Sequence, residues 1–218
     1  MNVVAKIIIG VSLFAASCSE QEDLGYRIDC RIDSGVVADS VKVYCYDEGY
    51  RALRLLGAHS IASEGRIVKL KGRIDAPSIA FVEIHNNFMR ERVYFILEND
   101  DIELSIGNGF LNIRGGELND AYFKVFAERR GIVNRRKSLR RGYDEAVKND
   151  AITDSLDKAY FSADKLLADS LQRLYSRTLN MNNIVTSAVW CQFGNEFNES
   201  EQLKKKLAKD SLLHNFVK

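Results

Sequence analysis

The spacing of the apolar residues changes at Gly115-Gly116, and no other feature constrains the fold of this 218-residue chain as strongly. From residue 26 to residue 114 the apolar residues favour period two, which is typical of half-buried strands. After the glycine pair they recur at helical spacing, as in Leu118, Tyr122 and Val125. The sequence therefore predicts an α+β protein, in which an N-terminal antiparallel β-sandwich or open barrel over residues 26–115 precedes a C-terminal helical segment over residues 116–218.

Two alternating segments, residues 26–32 and 41–45, flank the turn-like Asp33-Ser34-Gly35, and we expect them to form a β-hairpin. Gly107-Asn108-Gly109 is a second turn, because Asn-Gly supplies the positive φ angles that tight hairpins require. Short turns at this spacing favour antiparallel pairing. Five further strands are predicted, at residues 66–74, 78–85, 92–97, 102–106 and 110–114.

The helical segment contains two long amphipathic stretches, which predict helices over residues 117–141 and 150–179. Gly142 and the polar Lys148-Asn149-Asp150 suit a break between them, with Asp150 as the N-cap of the second helix. Two shorter helices are expected over residues 183–193 and 199–214.

The chain begins with a short apolar run, residues 7–16, that follows the single cation Lys6 and has the length of the hydrophobic part of a signal peptide. A membrane-spanning helix needs about 20 apolar residues, whereas this run stops at Ser17-Cys18. Ala15-Ala16-Ser17-Cys18 resembles the lipobox of bacterial lipoproteins, in which the cysteine becomes the acylated first residue. We interpret residues 1–17 as a signal peptide and Cys18 as the lipid attachment site. An ordinary secretory signal with a free Cys18 is the alternative.

Residues 18–25 are then an acidic tether between the lipid and the folded protein. This arrangement predicts a lipid-anchored protein of the cell envelope, at the outer membrane, with the periplasmic or surface face left open. The stretch from Ser19 to Asp23 resembles the signal that sends some Bacteroidota lipoproteins to the outside of the outer membrane. A solvated linker accounts for the same residues.

Composition predicts a folded protein with no general attraction to polyanions. Loss of residues 1–17 removes Lys6 and leaves 30 basic against 30 acidic side chains, so the mature chain is formally neutral and nucleic acid is not an expected partner. The hydrophobic fraction of 46% is ordinary for a globular protein, and the length suits one or two small domains.

Two segments around the glycine pair resemble the domain of unknown function 4369, which occurs in Bacteroidota envelope lipoproteins. They are Phe95-Ile96-Leu97-Glu98-Asn99 with the strand at 102–106, and Arg114-Gly115-Gly116-Glu117-Leu118-Asn119-Asp120-Ala121-Tyr122. The resemblance covers residues 26 to about 130. It implies a β-domain and helices that usually precede a thioredoxin-like domain with a Cys-x-x-Cys motif. This sequence contains no Cys-x-x-Cys.

Cys30, Cys45 and Cys191 lie far apart in apolar surroundings, which is typical of buried structural thiols. If Cys30 and Cys45 faced each other across the first hairpin, an exported setting would permit a disulfide. Closing a loop of about 15 residues would stabilise the protein by roughly 3 kcal/mol. Cys30 and Cys45 are thus a candidate disulfide, and two free core thiols are the alternative.

The sequence contains no motif for a metal, a cofactor or a known catalytic centre. His59, His85 and His214 are scattered, without the spacing of a helical metal pair, and no Gly-x-Ser-x-Gly nucleophile motif is present. We therefore expect no cofactor, no metal site and no catalytic residues.

The most unusual local feature is a basic cluster at the end of the first long helix, Arg129, Arg130, Arg135, Arg136, Lys137, Arg140 and Arg141. Cations there complement the negative end of the helix dipole, and a solvated helix face explains them. The alternative is contact with an anionic partner through Arg135, Arg136, Lys137 and Arg140.

Taken with the predicted location, these features favour a noncatalytic envelope lipoprotein that acts as an interaction or accessory module, with an envelope protein or a glycan as partner. A second hypothesis is an accessory partner of a thioredoxin-like thiol-disulfide oxidoreductase. A third is a glycan-binding surface lipoprotein.

Overall fold

A computed structural model of the protein describes residues 25–47, 52–86, 90–107 and 110–194. The predicted signal peptide, the lipid attachment site Cys18, the tether up to residue 24 and the helix predicted over residues 199–214 lie outside these ranges.

Within the described residues, strands come first and the long helices follow. The strands are β1 (Tyr26–Ile32), β2 (Ser40–Tyr46), β3 (Leu53–Ser60), β4 (Ile67–Gly72), β5 (Ser78–His85), β6 (Arg90–Leu97), β7 (Asp101–Gly107) and β8 (Phe110–Arg114). The helices are α1 (Ile61–Glu64), α2 (Glu117–Lys148), α3 (Asp154–Thr178) and α4 (Asn183–Phe193). The predicted α+β class is confirmed.

The strands form two four-stranded sheets. Sheet A has the order β4-β1-β7-β8 and sheet B the order β3-β2-β5-β6. All pairs are antiparallel except β1 with β7, which are parallel. Alternate residues of both sheets are buried in one shared core, as the period-two pattern predicts.

The predicted hairpin of residues 26–32 and 41–45 is wrong. Strand β1 pairs with β4 and β7 in sheet A, whereas β2 pairs with β3 and β5 in sheet B. The chain therefore crosses from one sheet to the other at residues 33–39. Local turn chemistry marked where the chain turns, but the partners of both strands lie further along the sequence.

Strand β3 is absent from the sequence-based strands, and its irregular pairing explains why. The register between β2 and β3 shifts between Val43 and Tyr44, so that Val43 lies opposite Gly57 and Tyr44 opposite Leu55. The extra residue, Leu56, is a β-bulge, which interrupts the alternation of apolar side chains on which the prediction depended.

Helix α2 closes one open side of the sandwich, because it packs against β6 and β8, the edge strands of the two sheets. On the other side the edge strands β3 and β4 approach each other, and a Cβ atom on Gly57 would come within 2.5 Å of Leu70 Cδ2. Among the described residues, none of the helices is both long and apolar enough to cross a membrane.

The glycine pair allows the chain to leave β8 and enter α2 in a tight space. Gly115 and Gly116 have φ angles of 87° and 85°, and a Cβ on Gly115 would come within 1.7 Å of the Asp101 carbonyl oxygen. Because Gly116 has no side chain to cap the helix, the Glu98 carboxylate accepts the backbone N–H of Asn119 at 3.0 Å.

The predicted helix break at Gly142 is wrong, because α2 continues without interruption to Lys148. An exposed glycine inside a helix costs only about 1 kcal/mol relative to alanine. The second helix begins at Asp154, and its N-cap is Thr153, whose hydroxyl accepts the N–H of Leu156, rather than Asp150. Helix α4 coincides with the prediction of 183–193.

Candidate functional site

The most unusual part of the molecule is a pair of antiparallel helices that extends beyond the sandwich. The last buried residue of α2 is Ile132, and the next buried residue along the chain is Leu174, near the end of α3. We call residues 133–173 the arm. Helix α2 has 32 residues and is about 48 Å long. Among the described elements, α3 is therefore the main packing partner of about half of this helix.

The arm begins about 20 Å along α2 from the end of the sandwich at which β1 begins. The start of β1 and the start of α2 meet at Asp101, because Arg27 Nε is 3.2 Å from the Asp101 carboxylate and the Asp101 carbonyl adjoins Gly115. We call this the basal end. Asn119, in the first turn of α2, contacts Ile96 of β6 near this end, and Ile132 follows about 20 Å later along the helix.

The structure divides the predicted basic cluster between the sandwich and the arm. Arg129 belongs to the sandwich, where its guanidinium lies 4.2 Å from the centre of the Phe193 ring and its Nε donates to the Tyr175 hydroxyl at 3.1 Å. Arg136 is bound to Asp164 of α3 by two hydrogen bonds of 2.8 Å. The exposed cations of the arm that were predicted as partner contacts are then Arg135, Lys137 and Arg140.

The contact between Arg136 and Asp164 shifts the pKa values of both groups. Hydrogen bonding to the Arg136 guanidinium lowers the pKa of the Asp164 carboxyl, and the same contact raises the pKa of Arg136. Both side chains are about one third exposed, so water screens the attraction and we expect the pair to contribute about 1 kcal/mol or less. Arg136 therefore holds the two helices of the arm together.

Aromatic residues lie near the tip of the arm. The Tyr143 and Tyr160 rings are stacked with their centres 4.1 Å apart, and the Tyr143 hydroxyl donates to Asp157 at 2.6 Å. Phe161 packs at the edge of Tyr160 but remains 62% exposed, and Leu166 further along α3 is 64% exposed. Large exposed side chains beside a basic surface are typical of sites that contact other macromolecules.

The three described cysteines are free thiols, of which Cys30 and Cys45 are buried and Cys191 is partly buried. Cys30 lies in sheet A and Cys45 in sheet B, and both are free, so the candidate disulfide is absent. Burial raises the pKa of Cys30 and of Cys191 to about 12, which suppresses the reactive thiolate. Cys45 Sγ accepts a hydrogen bond of 3.4 Å from Arg54 Nε.

Glu83, His85 and Arg92 form a charged cluster that the sequence pattern did not predict. Glu83 is only 4% exposed, and its carboxylate contacts His85 Nε2 at 2.6 Å and Arg92 Nε at 2.9 Å, while Arg92 also covers the Phe81 ring at 4.8 Å. Although burial of Glu83 opposes ionisation, its hydrogen bonds to Arg92 and His85 lower the pKa overall. The cluster becomes visible only when β5 and β6 are paired, since Glu83 then faces Arg92.

A metal-binding role receives no support from the part of the chain that the structure describes. There, no three His, Cys, Asp or Glu side chains form a group that could hold a metal ion. His59 Nε2 is instead 2.8 Å from the Gly65 carbonyl oxygen, and His85 belongs to the Glu83 cluster. His214 lies outside the described residues.

Comparison with known proteins gives no indication of the function. The sequence matches no protein-family model, and no curated protein matches it. The resemblance of residues 26–130 to the domain of unknown function 4369 therefore stays a prediction.

Proposed function

We propose that this protein is a noncatalytic lipoprotein of the cell envelope, attached through Cys18, that uses its arm to bind another envelope protein. The observation that carries the proposal is the arm itself. The arm has no buried side chain over about 40 residues, and of these residues only Leu167 and Leu171 pack against the core. Arg136, Asp164 and the Tyr143–Tyr160 stack nevertheless give it a defined shape.

The positions of the lipid anchor and of the arm on the molecule support this proposal. A lipid on Cys18 would hold the protein by its basal end, where β1 begins eight residues after Cys18. An extended chain of that length reaches about 29 Å at most. The arm begins about 20 Å along α2 from that end, so its exposed cations and Phe161 would lie at a distance from the anchoring membrane. This distance favours a protein partner over lipid headgroups of the same membrane.

The anchor is tested by detergent-phase partitioning of the full chain expressed in a bacterial host that processes lipoproteins. We expect the wild type in the detergent phase and Cys18→Ser in the aqueous phase, with Ser19→Ala behaving as wild type. Equal partitioning of the Cys18→Ser variant and the wild type would exclude lipid attachment at this residue.

The arm is tested with a photo-crosslinking amino acid placed at Phe161 in the native host. The matched control is Leu55, which is 51% exposed on sheet B, far from the arm. We expect a discrete protein adduct from position 161 that weakens when Arg135 and Lys137 are changed to glutamate. No adduct at 161, or equal adducts at 161 and 55, would contradict the proposal. An adduct with a Cys-x-x-Cys protein would select the redox-accessory hypothesis.

A further inference from the structure

A cleft of about 760 Å³ opens at the basal end, remote from the arm. Five parts of the chain form it: the end of β2, Arg54 on β3, the loop between β4 and β5, the start of α2 and the start of α4. Its volume lies within the range of small-molecule sites in proteins.

The cleft has an apolar floor and a polar rim. Ile74, Ile184 and Leu118 form the floor, and Ile74 and Ile184 are each only 9% exposed. Ala76 and Pro77 are exposed and belong to the wall formed by the loop between β4 and β5. The rim carries charged and amide side chains from separate elements, namely Asp47, Arg54, Arg73, Asp75, Asn182 and Asn183. A mostly apolar cavity with a few convergent polar groups is the usual form of a ligand site.

The loop that forms one wall is fixed in place before any ligand binds. The Asn99 side chain bonds both backbone groups of Ile74, accepting its N–H at 3.1 Å and donating to its carbonyl at 2.7 Å. At the other end of the loop, the Ser78 hydroxyl donates to the Tyr46 carbonyl at 2.7 Å. A site that is already ordered loses less conformational entropy on binding.

The charges of the rim indicate which ligand fits. Among the described residues of the rim, two arginines and two aspartates give no net charge. Asp75 lies close enough to Arg54 to add to the hydrogen bond that Arg54 donates to Cys45 in raising the pKa of that arginine. A ligand with a net charge would gain no net attraction from these four groups. Arginine offers only donors and carboxylates only acceptors, so the mixed rim suits groups that both donate and accept, such as hydroxyls.

From this combination we infer that the basal cleft binds a neutral saccharide. The apolar floor contacts the carbon-bound hydrogens of a sugar ring, while the aspartate, asparagine and arginine side chains of the rim bond its hydroxyls. The site differs from the basic cluster of the arm and goes beyond the proposed binding of a protein partner.

The test is affinity electrophoresis and calorimetry of the full chain in detergent with neutral probes: maltohexaose, cellohexaose, chitohexaose and yeast mannan. We expect at least one to bind. Asp75→Asn and Asn183→Ala should each weaken binding about tenfold or more, because the first replaces a charged acceptor with a neutral amide and the second removes a hydrogen-bonding group of the rim. Both positions are exposed, so neither change should alter the melting temperature by more than a few degrees.

The matched controls are Asp169→Asn and Arg135→Gln, exposed positions on the arm that should leave saccharide binding unchanged. Three results would overturn the inference: no binding to any of the four probes, binding unaffected by the two cleft variants, or binding lost with Arg135→Gln instead. Tight binding of inorganic phosphate or of the zwitterion glycylglycine, with no saccharide binding, would assign the cleft to a charged ligand. None of these results bears on the crosslinking test of the arm.

Discussion

The side-chain amide of Asn119 replaces a missing strand beside Ile96. Its Oδ1 accepts the Ile96 N–H at 2.9 Å, and its Nδ2 donates to the Ile96 carbonyl at 2.6 Å. Ile96 lies on β6, the edge strand of sheet B, and both residues are fully buried. Further along this edge, the Gln192 side chain of α4 accepts the Tyr94 N–H at 3.0 Å. Side chains of α2 and α4 thus supply hydrogen-bond partners to the part of this strand edge that they cover.

We predict that Asn119→Leu is strongly destabilising, because it leaves two buried backbone groups of Ile96 without a partner. Each unsatisfied group costs about 1–3 kcal/mol, so the free energy of unfolding should fall by about 2–5 kcal/mol. The control is Asn134→Leu in the same helix, where the side chain is exposed and the change should stay within about 0.5 kcal/mol. Similar denaturant midpoints for the two variants would show that the Asn119 bonds contribute little.

Tyr122 gives a prediction of opposite sign. It is fully buried, and its hydroxyl has no hydrogen-bond partner among the described residues. Tyr122→Phe removes this unsatisfied group and should stabilise the protein by about 1 kcal/mol. Tyr175→Phe should instead destabilise it, because the Tyr175 hydroxyl accepts a hydrogen bond from Arg129. A lower melting temperature for Tyr122→Phe would contradict this assignment.

The Glu83 cluster predicts acid sensitivity with a definite sign. Because hydrogen bonds to Arg92 and His85 lower the folded-state pKa of Glu83, its contribution to stability is complete above the unfolded-state pKa of about 4.3 and is lost as the pH falls through the lower folded value. Glu83→Gln should therefore cost about 1–3 kcal/mol at pH 7. The deficit should shrink steadily below pH 4.5. A deficit that stays constant from pH 7 to pH 3 would exclude this role for Glu83.

The environments of the thiols predict that the native protein is redox-inert. With pKa values near 12, Cys30 and Cys191 carry almost no thiolate at pH 8, and exchange also requires a second thiol to resolve the mixed disulfide. Iodoacetamide at pH 8 should modify neither residue until denaturant is added. The chain should also fail to accelerate the reduction of insulin by dithiothreitol. An acceleration of insulin reduction that disappears in Cys191→Ser or Cys30→Ser would contradict this prediction and support the redox-accessory hypothesis.

The sequence predicted what depends on neighbouring residues and missed what depends on pairing. The period-two and helical patterns identified the class, seven of the eight described strands and the extent of α4. The partners of β1 are β4 and β7, about 40 and 75 residues away, and the turn at residues 33–35 contains no information about either strand. The bulge at Leu56 concealed β3 for the related reason that it breaks the local period.

The same distinction between local patterns and long-range pairing applies to the candidate sites. The basic residues of the arm are consecutive enough to be noticed in the sequence, but only the packing of α3 shows that Arg136 is bound to Asp164 while Arg135 is exposed. The lining of the basal cleft comes from residues 46–47, 54, 73–78, 118 and 182–184, and such a set has no sequence spacing to recognise. Glu83 and Arg92 likewise become partners only through the register of β5 and β6.

Finally, we predict that the sheets do not form a stable domain without the helices. Helix α2 covers β6 and β8, and Tyr122, Val125 and Ile132 belong to the same buried cluster as the inner faces of both sheets. A fragment of residues 26–115 would expose Phe95 and Ile96 and leave the Ile96 backbone without Asn119. The fragment should therefore show no cooperative thermal transition and should bind a hydrophobic dye, whereas residues 26–218 should melt in one step. A sharp transition of the fragment at the melting temperature of the longer chain would mean that the helices are added to an independent sandwich. In that case α2 would contribute the arm and the edge contacts without being needed for the core.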